Sequence, residues 1–129
     1  MLDQNILDSY EMTIGIECHV QLKTKTKLFA SVDNDAKDKM PNTTISEICF
    51  GLPGTLPVLN KEAVHLAVRA GHALRAKVNT FSKFDRKHYF YPDLPMGYQI
   101  SQFDKPIIGS GKINIELPSG EQVTVGITN

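Results

Sequence analysis

A carboxylate and an imidazole lie two residues apart near the start of the chain, at Glu17 and His19. Side chains two apart on a β-strand point to the same face, so this pair could bind one divalent cation or share a proton. The alternative is an ordinary exposed Glu and His on the solvated face of a sheet. Two donors do not complete the coordination of Mg²⁺, so further oxygen ligands would have to come from elsewhere in the fold.

A second group of candidate residues occupies 83–102, where cations are interleaved with aromatic and polar side chains. Arg86, Lys87 and His88 precede the aromatic run 89–91, and a Pro-bounded turn leads to a further polar group, Tyr98, Gln99, Ser101 and Gln102. Cations beside aromatic faces suit a phosphate-bearing ligand with a base that can stack. The alternative is an amphipathic strand whose aromatic side chains belong to the core.

Other residues whose side chains could bind a metal or act in catalysis form weaker patterns. His65 and His72 are seven residues apart rather than the four that bring two imidazoles to one metal. Cys18 and Cys49 lie among apolar neighbours, which favours buried thiols without a catalytic role. The glycines of 51–54 are not followed by the Gly-Lys-Ser/Thr ending of a phosphate loop.

Composition predicts one soluble domain that is long enough to bury a core. The chain has 129 residues, with 14 Lys and Arg against 14 Asp and Glu, and therefore no net charge. Its hydrophobic content of 41% is too high for a disordered tail, and no apolar run of about 20 residues predicts a membrane span. Two cysteines are too few for a disulfide framework, so a reducing cytoplasm is expected. Residues 61–105 carry eight Lys and Arg against four Asp and Glu, a balance of +4 that makes them the place to expect an anionic ligand.

The elements that must position these residues follow from hydrophobic periodicity. Strict alternation over 13–22 predicts a half-buried strand whose polar face carries the carboxylate and the imidazole. Asn60 as an N-cap, followed by an apolar stripe, predicts a helix over about 60–76. A turn at 118–120 between two alternating segments predicts a β-hairpin, and 1–12 is interpreted as a loose leader. This order of elements predicts an α+β fold, with a largely antiparallel sheet and one main covering helix.

Three ordered blocks of the sequence resemble one family of enzymes. They are IGIECHVQL at 14–22, GLPGTLPVLNK at 51–61, and KFDRKHYFYPD at 83–93 continued by YQISQF at 98–103. Over about residues 11–129, the chain resembles the amino-terminal part of the B subunit of aspartyl/glutamyl-tRNA amidotransferase. Three long blocks at matching spacing are far more specific than any one short motif.

The resemblance implies a part of a three-subunit ligase of bacterial translation, located in the cytoplasm and not in a membrane. In that family, the B subunit uses ATP and Mg²⁺ to phosphorylate the side-chain carboxylate of Glu mischarged on tRNA(Gln), or of Asp mischarged on tRNA(Asn). Ammonia released by a glutamine-hydrolysing amidase subunit then displaces the phosphate, and a small third subunit braces the complex. Phosphorylation supplies the leaving group that a free carboxylate lacks, and the metal neutralises charge on the transferring phosphoryl oxygens.

The resemblance also implies roles for the candidate residues. Glu17 and His19 match the family's metal-binding pair on the first strand. Lys87 and Tyr89 match polar residues that line the route between the ammonia channel and the kinase-like site, so a catalytic role is expected for them. Cofactor-binding roles are expected for the neighbouring polar residues of the same motif, Arg86, Tyr98, Gln99, Ser101 and Gln102. Many members of the family carry a Lys at the position of Met96. In this chain the role of that Lys is absent or is taken by a neighbour such as Lys87.

Members of the family continue after the motif at 126–128 with further metal ligands, a helical domain and a tail that grips tRNA. We therefore expect residues 13–129 to be the amino-terminal portion of a catalytic domain, inactive toward tRNA by itself and at most a weak binder of Mg-ATP. The alternative is a non-catalytic module that docks onto the amidase subunit. A stand-alone nucleic-acid binder fits the zero net charge less well, because nonspecific binding depends on clustered Lys and Arg.

Overall fold

The computed structural model describes residues 4–128, which contain three short to medium helices and four strands. The helices are α1 (Gln4–Leu7), α2 (Glu47–Phe50) and α3 (Lys61–Ala73), and the strands are β1 (Asp85–His88), β2 (Tyr98–Ser101), β3 (Gly111–Glu116) and β4 (Gln122–Ile127). The strands pair in antiparallel fashion as two separate hairpins, β1–β2 and β3–β4. The α+β class is confirmed, with the antiparallel pairing divided between two small sheets. None of these helices has both the length and the apolar character needed to cross a bilayer.

Helix α3 begins at the predicted N-cap. Asn60 Oδ1 accepts a hydrogen bond of 3.0 Å from the backbone N–H of Glu62, which satisfies one of the free donors of the first turn. The amide nitrogen of Asn60 donates to the carbonyl oxygen and to the hydroxyl of Thr26, both at 3.0 Å. The side chain of Asn60 therefore caps the helix and also holds it to Thr26, which lies 34 residues earlier in the chain.

The carboxyl end of α3 is closed by a Schellman motif. The backbone N–H of Arg75 donates to the oxygen of His72 at 3.0 Å, and that of Ala76 donates to the oxygen of Gly71 at 2.9 Å. Arg75 has a φ of 50°, the left-handed conformation common just after the last helical residue. The helix predicted over about 60–76 is thus confirmed, and its last three predicted residues belong to the cap.

Residues 13–22 form neither strand nor helix, so the strand predicted from their alternation is wrong for this structure. The backbone of residues 11–20 makes no hydrogen bond to any other part of the described chain. Apolar side chains of the segment remain open to solvent, with Ile16 84% and Val20 77% exposed. Alternation shows which face a strand would bury, but a strand also needs a neighbour to accept and donate its backbone hydrogen bonds.

The predicted leader, 1–12, is described only from residue 4 onward, and its first three residues lie outside the described part. Gln4–Leu7 form a single helical turn, in which the backbone N–H of Asp8 donates to the oxygen of Gln4 at 2.9 Å. The Gln4 amide also donates to the Asp8 carboxylate at 2.8 Å. The described part of this segment is exposed throughout.

The chain that leaves α3 runs beside the chain that enters β3. The N–H of Lys77 donates to the oxygen of Ser110 at 3.1 Å, and the N–H of Gly109 donates to the oxygen of Lys77 at 2.8 Å. An isolated antiparallel bridge joins Val78 to Ile108 in the same stretch. These backbone contacts fix α3 relative to the β3–β4 hairpin, which has the predicted turn at 118–120.

Burial of apolar side chains is slight in this structure. Ala30 and Ala63 are the buried hydrophobic residues of the described chain. The accessible surface is 10963 Å², whereas a compact monomer of this mass would expose roughly 6,800 Å². The core expected from length and composition is therefore not formed within these residues, and large apolar side chains remain available for contact with other protein.

Lys83 ties the start of β1 to the loop that follows β2. Its Nζ lies 2.8 Å from Asp85 Oδ1 and 2.9 Å from Asp104 Oδ1. The hydrogen bonds to Asp85 and then to Asp104 raise the pKa of Lys83, and the hydrogen bond from Lys83 lowers the pKa of Asp104. The amide of Gln102 donates to the backbone oxygen of Lys83 at 2.9 Å. The two ends of the β1–β2 hairpin are held together by these polar contacts.

We predict that Gly111→Ala destabilises the protein and that Gly126→Ala, in the paired strand, does not. A Cβ at position 111 would lie 2.7 Å from Ala76 Cβ and 2.8 Å from the carbonyl oxygen of Leu74, neither of which can swing aside. A Cβ at position 126 would meet nothing within 4 Å. We expect the first variant to lower the free energy of unfolding by about 1–3 kcal/mol, and the second to change it by less than ~0.5 kcal/mol. Denaturant titration of both variants measures the difference, and equal stabilities would contradict the packing described.

We predict that Lys83→Ala raises the pKa of Asp104 toward its ordinary value of 3.8, because the hydrogen bond from Lys83 is the largest cause of the lowering. A carboxylate whose pKa is lowered by folding stabilises the fold above its unfolded pKa, and this contribution is lost as the pH falls through the folded value. NMR titration of the carboxyl carbon of Asp104 measures the shift. Lys112→Ala is the control, since Lys112 forms no ion pair within residues 4–128. An unchanged Asp104 titration in Lys83→Ala would show that the ion pair is not formed in solution.

Candidate functional site

The β1–β2 hairpin carries most of the candidate residues and divides them between its two faces. The register pairs Lys87 with Gln99 and His88 with Tyr98. Because side chains alternate along each strand, directly paired residues share a face and neighbours in sequence do not. One face, here called the polar face, consists of Asp85, Lys87, Tyr89, Gln99 and Ser101. The other, here called the stacking face, consists of Arg86, His88, Phe90, Tyr98 and Ile100.

The polar face presents four different polar groups without competing partners. Lys87 is exposed and pairs with no carboxylate of the described chain. The side chains of Gln99 and Ser101 make no hydrogen bond within residues 4–128. The ring of Tyr89 stacks on that of Tyr91, with centroids 4.8 Å apart and planes 16° apart. An ammonium, a phenol, an amide and a hydroxyl are therefore open to a polar ligand.

The stacking face combines a cation with three rings. The Arg86 guanidinium carbon lies 4.6 Å from the centroid of the Tyr98 ring, a cation–π contact. The rings of His88 and Phe90 stack with centroids 5.9 Å apart and planes 19° apart. Arg86 and Tyr98 were predicted to line the same pocket as the residues of the polar face. They lie instead on the opposite face of the hairpin.

Gln102 is engaged in the fold itself. Its amide nitrogen donates to Ser82 Oγ at 2.7 Å and to the backbone oxygen of Lys83 at 2.9 Å. Its side-chain oxygen accepts from the N–H of Ile107 at 3.1 Å. Both ends of the amide are occupied, so the cofactor-binding role predicted for Gln102 would require a ligand to replace one of these bonds.

Glu17 and His19 are brought together although the predicted strand is absent. Glu17 Oε2 lies 3.8 Å from His19 Nε2, and the two side chains are 92% and 91% exposed. A carboxylate oxygen suits Mg²⁺, which prefers oxygen ligands and keeps several waters, and the imidazole offers a second donor. Residues 4–128 contain no group of three or more His, Cys, Asp or Glu side chains placed to hold a metal ion. No hydrogen bond or ion pair of the described residues joins this pair to the β1–β2 hairpin.

Met96 packs against the end of α2. A Cβ on Gly51 would lie 2.6 Å from Met96 Cβ and 3.1 Å from its Cα. Gly51 caps α2 with a φ of 63°, so glycine suits this position both for its backbone conformation and for the close approach. The contact joins the Gly-Pro block at 51–61 to the turn between β1 and β2, and thereby helps to position both faces of the hairpin.

The environment of the two cysteines differs from the predicted burial. Cys18 is exposed, because the strand that would bury it is not formed. Cys49 is partly buried, and its sulfur lies 3.8 Å from Lys27 Nζ and 3.7 Å from Ser46 Oγ. Burial raises the pKa of the Cys49 thiol, but hydrogen bonds from Ser46 together with the Lys27 charge outweigh it and leave the pKa below the ordinary 9.0.

The sequence did not predict two of these contacts, Lys27 with Cys49 and Lys83 with Asp85. Lys27 is 22 residues from Cys49, so no local pattern indicates their contact. Lys83 and Asp85, in contrast, are only two residues apart in the sequence, and this spacing of opposite charges is a signal that could have identified the ion pair.

Comparison with known proteins matches nearly the whole chain to a single family. Residues 12–129 match the family model described as the GatB/GatE catalytic domain. The chain is 56% identical over 112 residues to a B subunit of the aspartyl/glutamyl-tRNA(Asn/Gln) amidotransferase of Clostridium acetobutylicum, covering 87% of this chain and 23% of that protein. It is 53% identical over 111 residues to the B subunit of the same enzyme in Borreliella burgdorferi, covering 86% and 23%.

A more distant relative extends the same result. The chain is 44% identical over 119 residues to the B subunit of the mitochondrial glutamyl-tRNA(Gln) amidotransferase of Naegleria gruberi, covering 92% of this chain and 23% of that protein. The chain spans less than a quarter of the length of these curated relatives. Since the family model matches nearly all of its residues, the chain belongs to the GatB/GatE catalytic-domain family.

Proposed function

We propose that the chain contributes part of the catalytic site of a tRNA-dependent amidotransferase. The observation that carries the proposal is the match of residues 12–129 to the family's catalytic domain. The relatives are named as subunits that act on aspartyl- or glutamyl-tRNA. In the proposed reaction, ATP phosphorylates the side-chain carboxylate of mischarged Glu-tRNA(Gln) or Asp-tRNA(Asn), and ammonia then displaces the phosphate to leave the amide.

The polar face supplies groups suited to this chemistry. The Lys87 ammonium, free of any carboxylate in the described chain, is suited to stabilise negative charge on a transferring phosphoryl group. The Tyr89 hydroxyl can donate to a carboxylate oxygen or to ammonia, and its ring is held by Tyr91. Gln99 and Ser101 offer further hydrogen bonds from β2, which fixes their direction. We assign Lys87 and Tyr89 to the reacting groups and the two β2 residues to binding.

Glu17 and His19 are proposed to hold Mg²⁺ together with ligands outside this pair. The metal, when bound, neutralises phosphate charge and lowers the cost of phosphoryl transfer. The pair contributes one carboxylate oxygen and one imidazole nitrogen, and both side chains are accessible. The partial set fits a cation that keeps several waters in its coordination shell.

The partners proposed for the chain are the glutamine-hydrolysing amidase subunit, the small third subunit of the complex, and the mischarged tRNA. Contact with other protein is supported by the large apolar side chains left exposed, such as Leu56 at 79% and Val58 at 71%. Surfaces of this kind are usually covered in an assembly. A translation enzyme of this type would work in the bacterial cytoplasm.

The same exposed apolar surface favours a second candidate function, that of a docking module for the amidase subunit. In this case the polar face would be structural, and its side chains would not affect the reaction rate. The catalytic function requires the side chains of Lys87 and Glu17 for the reaction, whereas the docking function does not.

A chimera can test the proposal. We predict that residues 12–129, exchanged into the aligned segment of the Clostridium acetobutylicum relative, support ATP-dependent conversion of Glu-tRNA(Gln) to Gln-tRNA(Gln) by the reconstituted enzyme. Lys87→Met in the chimera should lower kcat by about 10²–10³-fold, because the charge that it supplies is needed most in the transition state. Glu17→Gln should raise the Mg²⁺ concentration needed for half-maximal activity. The rate of Gln-tRNA(Gln) formation at varied Mg²⁺ measures both effects.

Lys112→Met, on the exposed β3–β4 hairpin, is the matched control for removal of a lysine charge. Gel filtration of each chimera with its partners shows that assembly is intact. An assembled chimera that keeps full activity in both Lys87→Met and Glu17→Gln would exclude the catalytic assignment and favour the docking module. An assembled parent chimera without activity would contradict the proposal as a whole.

A further inference from the structure

Lys27 and Cys49 bring an amine and a thiol together outside the β1–β2 hairpin. The Lys27 Nζ lies 3.8 Å from the Cys49 sulfur, and the Ser46 hydroxyl lies 3.7 Å from the same sulfur. Lys27 and Cys49 are both partly buried. Two nucleophilic side chains that are 22 residues apart in the sequence are therefore within a short side-chain movement of each other.

The fold holds Lys27 beside the sulfur. Its Nζ donates to the backbone oxygen of Thr44 at 2.5 Å, and its backbone N–H donates to the oxygen of Val32 at 3.0 Å. No carboxylate of residues 4–128 forms an ion pair with Lys27. The ammonium is therefore free to pair with a thiolate at Cys49.

The two cysteines of the chain differ in what surrounds the sulfur. Cys18 is exposed and makes no hydrogen bond within the described residues. Burial opposes ionisation of Cys49, but the hydrogen bonds from Ser46 and the charge of Lys27 outweigh it, so that the pKa of the Cys49 thiol is lowered. Because the thiolate is the form that attacks an oxidant, Cys49 should react faster than Cys18 although it is less exposed.

We propose that Lys27 and Cys49 form a covalent sulfur–nitrogen crosslink when the protein is exposed to hydrogen peroxide. The Cys49 thiolate attacks one peroxide oxygen, so that an S–O bond forms and the O–O bond breaks. Sulfur loses two electrons to the peroxide, and the departing hydroxide takes a proton from the Lys27 ammonium and leaves as water. The resulting Lys27 amine then attacks the sulfenic acid, an S–N bond forms, the S–O bond breaks, and a second water leaves.

The crosslink would join the loop that carries Lys27 to helix α2. That helix ends at Gly51, whose close approach to Met96 positions the turn of the β1–β2 hairpin. A thiol reductant would reverse the link, so it would act as a redox-sensitive clamp on this part of the fold. The proposal goes beyond amidotransfer and uses none of the residues assigned to that reaction.

Peptide mass spectrometry of the full 129-residue chain tests the proposal. The folded chain is treated with hydrogen peroxide in thiol-free buffer, remaining thiols are alkylated, and trypsin places Cys18 and Cys49 on different peptides. We expect a pair of peptides linked through Lys27 and Cys49, with the summed mass of both less two hydrogen atoms. Dithiothreitol should separate them. At neutral pH, Cys49 should be consumed about threefold faster than Cys18, since a lower pKa raises the thiolate fraction more than it lowers nucleophilicity.

Lys27→Arg is the decisive variant. It keeps a cation beside the thiol, but the guanidinium stays protonated and does not condense with a sulfenic acid. Its Cys49 should accumulate as sulfenic acid, which dimedone labels, and the linked peptides should be absent. Lys25→Arg is the matched control and should link as the parent does, because Lys25 is exposed and forms no ion pair within residues 4–128. The parent chain unfolded in urea should yield at least about tenfold less linked peptide, since the fold no longer holds the two groups together.

The proposal would be overturned by oxidation confined to Cys18, or by a disulfide between Cys18 and Cys49 as the main product. Linked peptides in Lys27→Arg, or equal yields from the folded and the unfolded parent chain, would also contradict it. The assay contains neither ATP nor tRNA. None of these results therefore bears on the activity of the chimera, and the two proposals fail independently.

Discussion

Backbone hydrogen bonds between the chain leaving α3 and the chain entering β3 are the constraint on which the rest of the structure depends. With two alanines as the buried hydrophobic residues of the described chain, side-chain packing supplies little of the order. The N–H of Lys112 donates to the oxygen of Leu74 at 3.1 Å, next to the close approach at Gly111. Each such bond adds on the order of 1 kcal/mol, so several in one stretch are needed to hold a helix against a hairpin.

The β1–β2 hairpin is held by local contacts rather than by a core. Lys83 closes the open end of the hairpin, and the Gly51–Met96 contact fixes its turn. Strand alternation then decides which residues can act together, because each face excludes every second side chain. A run that looks like one cluster in the sequence becomes two surfaces with different chemistry: a polar face with free donors, and a stacking face with rings and a guanidinium.

The parts of the fold that could be predicted are those encoded by neighbouring residues. Asn60 and the apolar stripe after it were sufficient for α3, and the turn at 118–120 was sufficient for β3–β4. The segment 13–22 has an equally clear pattern, yet a strand depends on a distant partner that no local pattern supplies. The contact of Lys27 with Cys49 could not be predicted either, because the two residues are 22 positions apart in the sequence. At the site, the residue types were visible in the sequence, whereas their division between two faces required the register of β1 with β2.

Segment 13–22, which pairs with no strand of the described chain, carries both exposed apolar side chains and the two residues proposed to hold Mg²⁺. Its apolar side chains, such as Ile14 at 71% exposed, alternate with the carboxylate of Glu17 and the imidazole of His19. A neighbouring strand would bury the first set and, by fixing the backbone, would hold the second set at a defined separation on the opposite face. One pairing event would therefore supply both the burial that the fold lacks and the rigidity that a metal site requires, so folding and metal binding would be coupled through this segment.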